Sequence, residues 1–179
     1  MTIKFTDLSK RLSEQKSDTV VFAFGRFNPP TVGHEKLFKK VESEGKRAKD
    51  HFVYASHSED NKKNPLNPRL KQRILKKAFP RNNVVISSKQ MPTALHIASA
   101  LYEKGYKNLV MVAGSDRVQE FKKLLDRYNN EKSRHGFYNY ETINVVSSGE
   151  RDADAEDVSG ASGTKMRMYA AKGDYERFK

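Results

Sequence analysis

Short apolar runs alternate with longer amphipathic segments along most of this chain of 179 residues. The short runs are rich in valine, isoleucine and aromatic residues and are too brief for buried helices, so they predict β-strands. The predicted strands span residues 20–24, 51–56, 84–86, 109–112 and 142–146. Between them, apolar residues recur every three or four positions, which predicts helices. These helices cover residues 31–44, 68–79, 93–104 and 116–128, and a last helix ends near residue 172.

The helix that begins at Pro68 shows how this pattern assigns faces. Proline is favoured in the first turn of a helix, where its missing N–H costs nothing. The apolar positions of this helix, Leu70 and Ile74 among them, are predicted to face the core. Its cations, Lys71 among them, are predicted to face solvent.

The chain before the first strand carries Phe5, Leu8 and Leu12 at near-helical spacing. This spacing predicts one short helix in an N-terminal extension of residues 1–18. The remainder, residues 19–179, has the length and apolar content of one domain with its own core. We therefore expect a short helical appendage on a single larger unit.

Strands that alternate with helices predict an α/β fold with a parallel sheet and helices on both faces. We expect a three-layer, Rossmann-like, doubly wound sheet of five parallel strands in the order 3-2-1-4-5. In such sheets a ligand binds outside the carboxyl ends of the strands, where the strand order reverses. That point lies between the first and fourth strands, so the loops after residues 24 and 112 are the expected walls of the site.

The loop after the first strand has a composition that stops both strand and helix. It runs Gly25-Arg26-Phe27-Asn28-Pro29-Pro30 and leads directly into a helix that starts with Thr31-Val32-Gly33-His34. The free N–H groups and the positive dipole end of a helix start favour an anion. Thr31 and His34 are three residues apart and share a face there. Gly33 leaves the surface between them bare, so a phosphate can approach the backbone.

A second anion site is predicted where the last helix begins. The segment Ser162-Gly163-Thr164-Lys165-Met166-Arg167 places small residues and a hydroxyl at a helix start. Arg167 returns to the face of Thr164 with a guanidinium suited to phosphate. By itself such a segment is more often a simple helix cap. Gly114-Ser115-Asp116 follows the fourth strand, and Asp116 has the same two interpretations, as a helix cap or as a ligand contact.

The net charge of +12 predicts an anionic partner, which a nucleoside triphosphate or a nucleic acid would satisfy. The lysines are scattered over the predicted helix faces, so a nucleic-acid track is not favoured. The chain contains no cysteine, which excludes disulfides and cysteine chemistry and fits a cytoplasmic protein. No apolar run approaches the roughly 20 residues that a membrane helix needs, so no membrane role is expected. An acidic stretch at 150–157 is predicted to be a solvated connector.

The loop and helix start at 25–34 resemble the signature of the HIGH-motif nucleotidyltransferase superfamily. Their form, Gly-x-Phe-Asn-Pro-Pro-Thr-x-Gly-His, is most similar to that of the nicotinamide and nicotinate mononucleotide adenylyltransferases. Thr31 stands where the superfamily signature has its first histidine. The segment at 162–167 resembles the I-S-S-T-x-x-R element of the same superfamily, with glycine in place of one serine. The resemblance covers residues 20 to about 171 and implies the Rossmann-like fold.

The resemblance also implies roles for the site residues. His34 and Thr31 are expected to contact the α- and β-phosphates, while Arg167 and Thr164 hold the β- and γ-phosphates. The other expected nucleotide contacts are Gly25, Arg26, Phe27, Asn28, Gly33, Gly114, Asp116, Ser162, Gly163 and Lys165. Lys62, Lys63, Arg69 and Arg73 are the candidates for the phosphate of the acceptor. No protein-built metal site is expected, because the Mg²⁺ ion of this chemistry arrives with the substrate.

The expected reaction transfers AMP from ATP to a phosphate-bearing acceptor and releases pyrophosphate. Nicotinamide mononucleotide is the first choice of acceptor, although relatives that use it usually carry a tryptophan near the position of Asp116 and this chain has none. A cytidylyltransferase that uses CTP is an alternative. Two others are a non-catalytic module that binds nucleotide or nucleic acid, and a phage-type structural protein that reuses the fold. The oligomeric state is left open.

Overall fold

The structure is a computed structural model that describes residues 18–149 and 163–178. Its five strands are β1 (Thr19–Gly25), β2 (Asp50–Ala55), β3 (Asn83–Ile86), β4 (Asn108–Ala113) and β5 (Thr142–Ser147). Its α-helices are α1 (Val32–Gly45), α2 (Pro68–Ala78), α3 (Ala94–Glu103), α4 (Val118–Arg127), α5 (Gly163–Lys172) and α6 (Tyr175–Phe178). The predicted N-terminal helix, Ser162 and the acidic stretch at 150–157 lie outside the described residues.

All five strands pair in parallel, in the order β3-β2-β1-β4-β5. The predicted fold class and strand order are therefore confirmed. The chain moves outward from β1 to β3 and then returns to add β4 on the other side of β1. The reversal places the loops after β1 and β4 at one crevice along the carboxyl edge of the sheet.

The sheet separates two apolar layers, and the strand residues alternate between them. Val20 and Phe22 of β1 pack with residues of α3 and α4 on one face. Val21 and Ala23 pack with residues of α1 and α2 on the other face. Because β1 is covered on both sides, its residues 20–24 are all apolar instead of alternating with polar residues. This central strand gives the loop that follows it a rigid base.

Helix α2 buries Leu75 as predicted, but it is rotated so that other residues change face. Lys71, predicted to face solvent, is fully buried, while Leu70 and Ile74, predicted to face the core, are 36% and 37% exposed. The Lys71 ammonium donates hydrogen bonds to two backbone carbonyls beneath the crevice, which explains why the cationic side chain turns inward.

Two smaller differences concern the start and end of the C-terminal half. The helix predicted to start at residue 116 begins instead as a 3-10 turn, Ser115–Arg117, before α4 takes over at Val118. The short helix α6 follows α5 and was not predicted. Among the described residues, none of the helices is long and apolar enough to cross a membrane.

Candidate functional site

The loop between β1 and α1 is anchored to the core by Phe27. This residue has a positive φ of 47°, and its ring is buried. The ring folds back over Gly25, so that a Cβ atom at Gly25 would lie 2.7 Å from Phe27 Cζ. Only glycine tolerates such an approach without displacing the ring. The ring centroid of Phe27 also lies 5.3 Å from that of Phe38 in α1 and 5.0 Å from that of His34.

His34 and Thr31 form one unit at the start of α1. Thr31 occupies the N-cap position with an extended backbone, and its N–H donates to Nδ1 of His34 over 3.0 Å. A backbone N–H can only donate, so Nδ1 must be the unprotonated nitrogen of a neutral ring. The Thr31 hydroxyl lies 2.9 Å from the same Nδ1 and therefore donates to it as well.

This pairing determines what the imidazole offers to a ligand. With Nδ1 accepting, the proton of the neutral ring sits on Nε2, which makes that nitrogen a hydrogen-bond donor. The ring lies in the first turn of α1, and the amide groups of a helix start favour an anion. The Thr31 hydroxyl orients the ring in this arrangement, and a direct bond from Thr31 to a phosphate would require the hydroxyl to rotate away from Nδ1.

Asn28 joins the β1–α1 loop to the loop between β2 and α2. Its side-chain amide accepts from the N–H of Leu66 over 3.0 Å and donates to the carbonyl of Leu66 over 3.3 Å. Asn28 is only 3% exposed. Both ends of the amide are thus engaged by protein backbone, so Asn28 shapes the site by holding two loops together.

The start of α5 lies directly against this same loop. Nη1 of Arg167 donates to the carbonyl of Asn28 over 2.6 Å, and Nη2 donates to the Thr164 hydroxyl over 3.1 Å. A Cβ atom at Gly163 would lie 3.6 Å from the Asn28 carbonyl oxygen, in ordinary contact. Two helix starts from opposite ends of the chain therefore meet at one loop, and both favour anions.

The segment that follows β4 forms the other wall of the crevice. Gly114 follows β4, and a Cβ atom there would lie 2.7 Å from Oδ1 of Asp116. The carboxylate is thus folded back over the backbone of Gly114, while Asp116 itself is exposed in the 3-10 turn. Among the described residues no group of three His, Cys, Asp or Glu side chains could hold a metal ion.

Residues 22–168 match the cytidylyltransferase-like family. The chain belongs to this family. The matched stretch runs from β1 into α5 and so contains both helix starts. A comparison with curated proteins returned no match.

The cytidylyltransferase-like chain also holds a site residue that the sequence pattern assigned to solvent. Nζ of Lys71 donates to the carbonyl of Arg26 over 3.1 Å and to the carbonyl of Ser56 over 2.5 Å. Burial lowers the pKa of Lys71, and the nearby carboxylate of Glu59 partly opposes this. No local signal could have found this contact, because Arg26 and Ser56 precede Lys71 by 45 and 15 residues.

The four candidate acceptor-binding cations are exposed in this cytidylyltransferase-like structure. Lys62 and Lys63 lie in a tight turn in which Oδ1 of Asp60 accepts from both of their backbone N–H groups. These bonds and the amide of Asn64 lower the pKa of Asp60 to about 2. Arg69 and Arg73 lie on the outer side of α2. None of the contacts among the described residues joins these four side chains to the β1–α1 loop.

The remaining predicted nucleotide contacts fall at the two helix starts. Arg26 is exposed beside the crevice loop, and Gly33 is half-buried in the first turn of α1. Gly163 and Lys165 lie in the first turn of α5, where Lys165 is exposed. Their contacts with a nucleotide stay predictions.

Asn28→Ala is expected to destabilise the cytidylyltransferase-like domain and loosen the crevice. The change leaves the N–H and carbonyl of Leu66 without their partners, at a cost of about 1–3 kcal/mol. Chemical denaturation measures this loss. Asn83→Ala is the control, because the Asn83 amide also bonds to a backbone carbonyl, that of His51, but in an exposed setting. If Asn28→Ala were as stable as the native chain, the Asn28 amide would not hold the two loops together.

Proposed function

We propose that this protein is a nucleotidyltransferase that joins a nucleoside monophosphate to the phosphate of an acceptor. An oxygen of the acceptor phosphate forms a bond to the α-phosphorus of a nucleoside triphosphate. The bond from that phosphorus to the β-phosphate oxygen breaks, and pyrophosphate leaves with the electron pair. The observation that carries the proposal is the hydrogen bond from Arg167 to the carbonyl of Asn28, which holds the start of α5 against the loop that leads into α1.

The reaction needs no protein nucleophile, because the acceptor phosphate is already anionic. The protein acts by positioning the two phosphates in line and by stabilising charge on the oxygens of the transferred group. His34, with its proton on Nε2, donates to the α-phosphate and to the bridging oxygen. Thr31 holds the ring in this tautomer. Such preorganised donors stabilise the transition state more than the ground state.

Arg167 and Thr164 would hold the leaving pyrophosphate. The guanidinium has five donors, so it can retain its bond to Asn28 and still donate to phosphate oxygens. The free N–H groups of the first turn of α5 add donors beside it. The Asp116 carboxylate, next to Gly114 at the end of β4, would accept from ribose hydroxyls.

The finer assignment is ATP as the nucleotide and nicotinamide mononucleotide as the acceptor. It rests on the Gly-Arg-Phe-Asn-Pro-Pro-Thr sequence at 25–31. CTP is the alternative nucleotide. We propose that Mg²⁺ arrives bound to the triphosphate, whose charge it neutralises.

Pyrophosphate release tests this function. The purified chain is incubated with each of ATP, CTP, GTP and UTP in combination with a panel of phosphorylated acceptors, and pyrophosphate is detected by a coupled assay. We expect release that requires both a nucleotide and an acceptor. Nucleotide binding without release under every combination would favour the non-catalytic alternative, and no nucleotide binding at all would contradict the proposal.

A further inference from the structure

A fully buried lysine lies beneath the crevice. Lys71 of α2 is 0% exposed, although the other cations of that helix, Arg69, Arg73, Lys76 and Lys77, are all exposed. Lysine is almost never fully buried unless its ammonium is paired. Here the partners are two backbone carbonyls, those of Arg26 and Ser56.

This burial is costly in two ways. An ammonium loses its hydration when it enters the protein interior, and carbonyl oxygens replace that hydration only in part. The rotation of α2 that brings Lys71 inward also leaves Leu70 and Ile74 more than one-third exposed. An apolar residue at position 71 would avoid the first of these costs, so packing alone does not explain the lysine.

The two carbonyls lie in the loops that follow the two neighbouring strands β1 and β2. Arg26 is the first residue after β1, and Ser56 is the first residue after β2. The N–H of Ser56 donates to the carbonyl of Gly25 over 2.9 Å, so the strands stay paired up to this point. Beyond this point the Lys71 ammonium binds one carbonyl from each chain segment. It takes the place of the next hydrogen bond that would join the two strands.

The bond to Arg26 also sets the direction of the next amide. In a planar trans peptide unit the C=O and the following N–H point in opposite directions. Because the Arg26 carbonyl points at the buried ammonium, the N–H of Phe27 points away from it. Among the described residues, none accepts a hydrogen bond from this N–H. A free backbone N–H beside an anion-binding helix start is a ready phosphate donor.

We propose that Lys71 is a positioning residue for the nucleotide site. Its ammonium fixes the Arg26–Phe27 peptide so that the Phe27 N–H and the start of α1 face the same phosphate. This inference rests on the proposed function, since it needs a nucleotide in the crevice. Lys71 does not touch the nucleotide. It acts through the backbone at Arg26, while Asn28 holds the same loop a little further along through Leu66.

Lys71→Met tests the inference, with Lys76→Met as the matched control on the exposed side of the same helix. Binding of α,β-methylene ATP is measured by calorimetry, and folding by circular dichroism. Lys71→Met is expected to bind the analogue about 10-fold more weakly, because a misplaced donor loses a charge-assisted hydrogen bond. Lys76→Met is expected to bind like the native chain.

A chemical rescue separates the ammonium from the rest of the side chain. The sequence contains no cysteine, so Lys71→Cys introduces a unique thiol. The variant is unfolded, alkylated with bromoethylamine and refolded, which restores an ammonium at nearly the length of lysine. The native chain is carried through the same steps. We expect the alkylated protein to recover binding within about threefold of native, whereas alkylation with iodoacetamide, which adds a neutral amide, leaves binding weak.

Nuclear magnetic resonance gives a second readout that general loss of stability would not produce. In the native chain the Phe27 amide signal is expected to shift on addition of the analogue, and in Lys71→Met this shift is expected to be lost while the Gly163 signal still responds. Equal binding by Lys71→Met and native would overturn the inference. Failure of both Lys71 variants to fold would also overturn it, because the ammonium would then support the whole domain and not the loop. If the native chain binds no nucleotide, the proposed function fails first.

Discussion

His34→Ala is expected to lower the rate of pyrophosphate release by about 10²- to 10³-fold, the usual cost of removing one preorganised donor to a transition state. The substitution removes the Nε2 proton, which in the proposed mechanism faces the phosphate, and leaves the amide groups at the start of α1 in place. The effect should appear mainly in kcat, because the imidazole acts on charge that develops during transfer. Steady-state kinetics under saturating nucleotide and acceptor measures it.

The control for this substitution is His96→Ala, because α3 begins with the same local pair. Thr93 occupies its N-cap position, and the Thr93 hydroxyl lies 2.8 Å from Nδ1 of His96. Both substitutions remove the same kind of contact at a helix start, so a similar loss of stability is expected from each. Only His34→Ala should slow the reaction. Full activity of His34→Ala would exclude the imidazole from the mechanism.

Arg167→Ala is expected to reduce kcat/KM for the nucleotide by about 100-fold, because the variant loses the charge-assisted contact to phosphate that the proposed mechanism assigns to Arg167. It also removes the bond to the Asn28 carbonyl, so the start of α5 is no longer held against the β1–α1 loop. Arg167→Lys is expected to recover only part of the loss, since lysine keeps the charge but lacks the planar fork that serves both the carbonyl and the phosphate.

Arg177→Ala serves as the control for Arg167→Ala. Arg177 lies in α6 and its guanidinium is 3.7 Å from the carboxylate of Asp174, a contact at the protein surface. Its loss is expected to leave the kinetics unchanged. If Arg167→Ala and Arg177→Ala behaved alike, the start of α5 would have no part in binding the nucleotide.

The sequence predicts those parts of the fold that are encoded by a residue pattern within a single strand or helix. Val20 and Phe22 alternate with Val21 and Ala23 between two apolar layers, and a short run that is apolar at every position is typical of a central buried strand. The strand order follows once alternating strands and helices require parallel, right-handed crossovers. The spacing of Thr31 and His34 likewise predicted a shared helix start, and the structure places them in direct contact.

The long-range hydrogen bonds at the crevice are interactions that the sequence could not predict. The Asn28 amide matches the backbone of Leu66, which lies 38 residues away. The Lys71 ammonium binds carbonyls, and every residue has a carbonyl, so no residue type marks its partners. Periodicity counts lysine as polar and turns it outward, which is why the face predicted for Lys71 was wrong, although Leu75 is buried and Arg73 is exposed as predicted. The tautomer of His34 depends on the N-cap backbone, which a residue pattern does not contain.

The proposed mechanism requires the starts of α1 and α5 to bind the same triphosphate. Observing both helix starts while a nucleotide binds tests this requirement directly. The His34 ring and the Arg167 Nε–H are followed by nuclear magnetic resonance while α,β-methylene ATP is added to the native chain. We predict that both signals shift with the same dissociation constant, and that in Arg167→Ala the His34 signal shifts only at higher concentrations of the analogue. A nucleotide that moves one signal and leaves the other unchanged would contradict a shared triphosphate site.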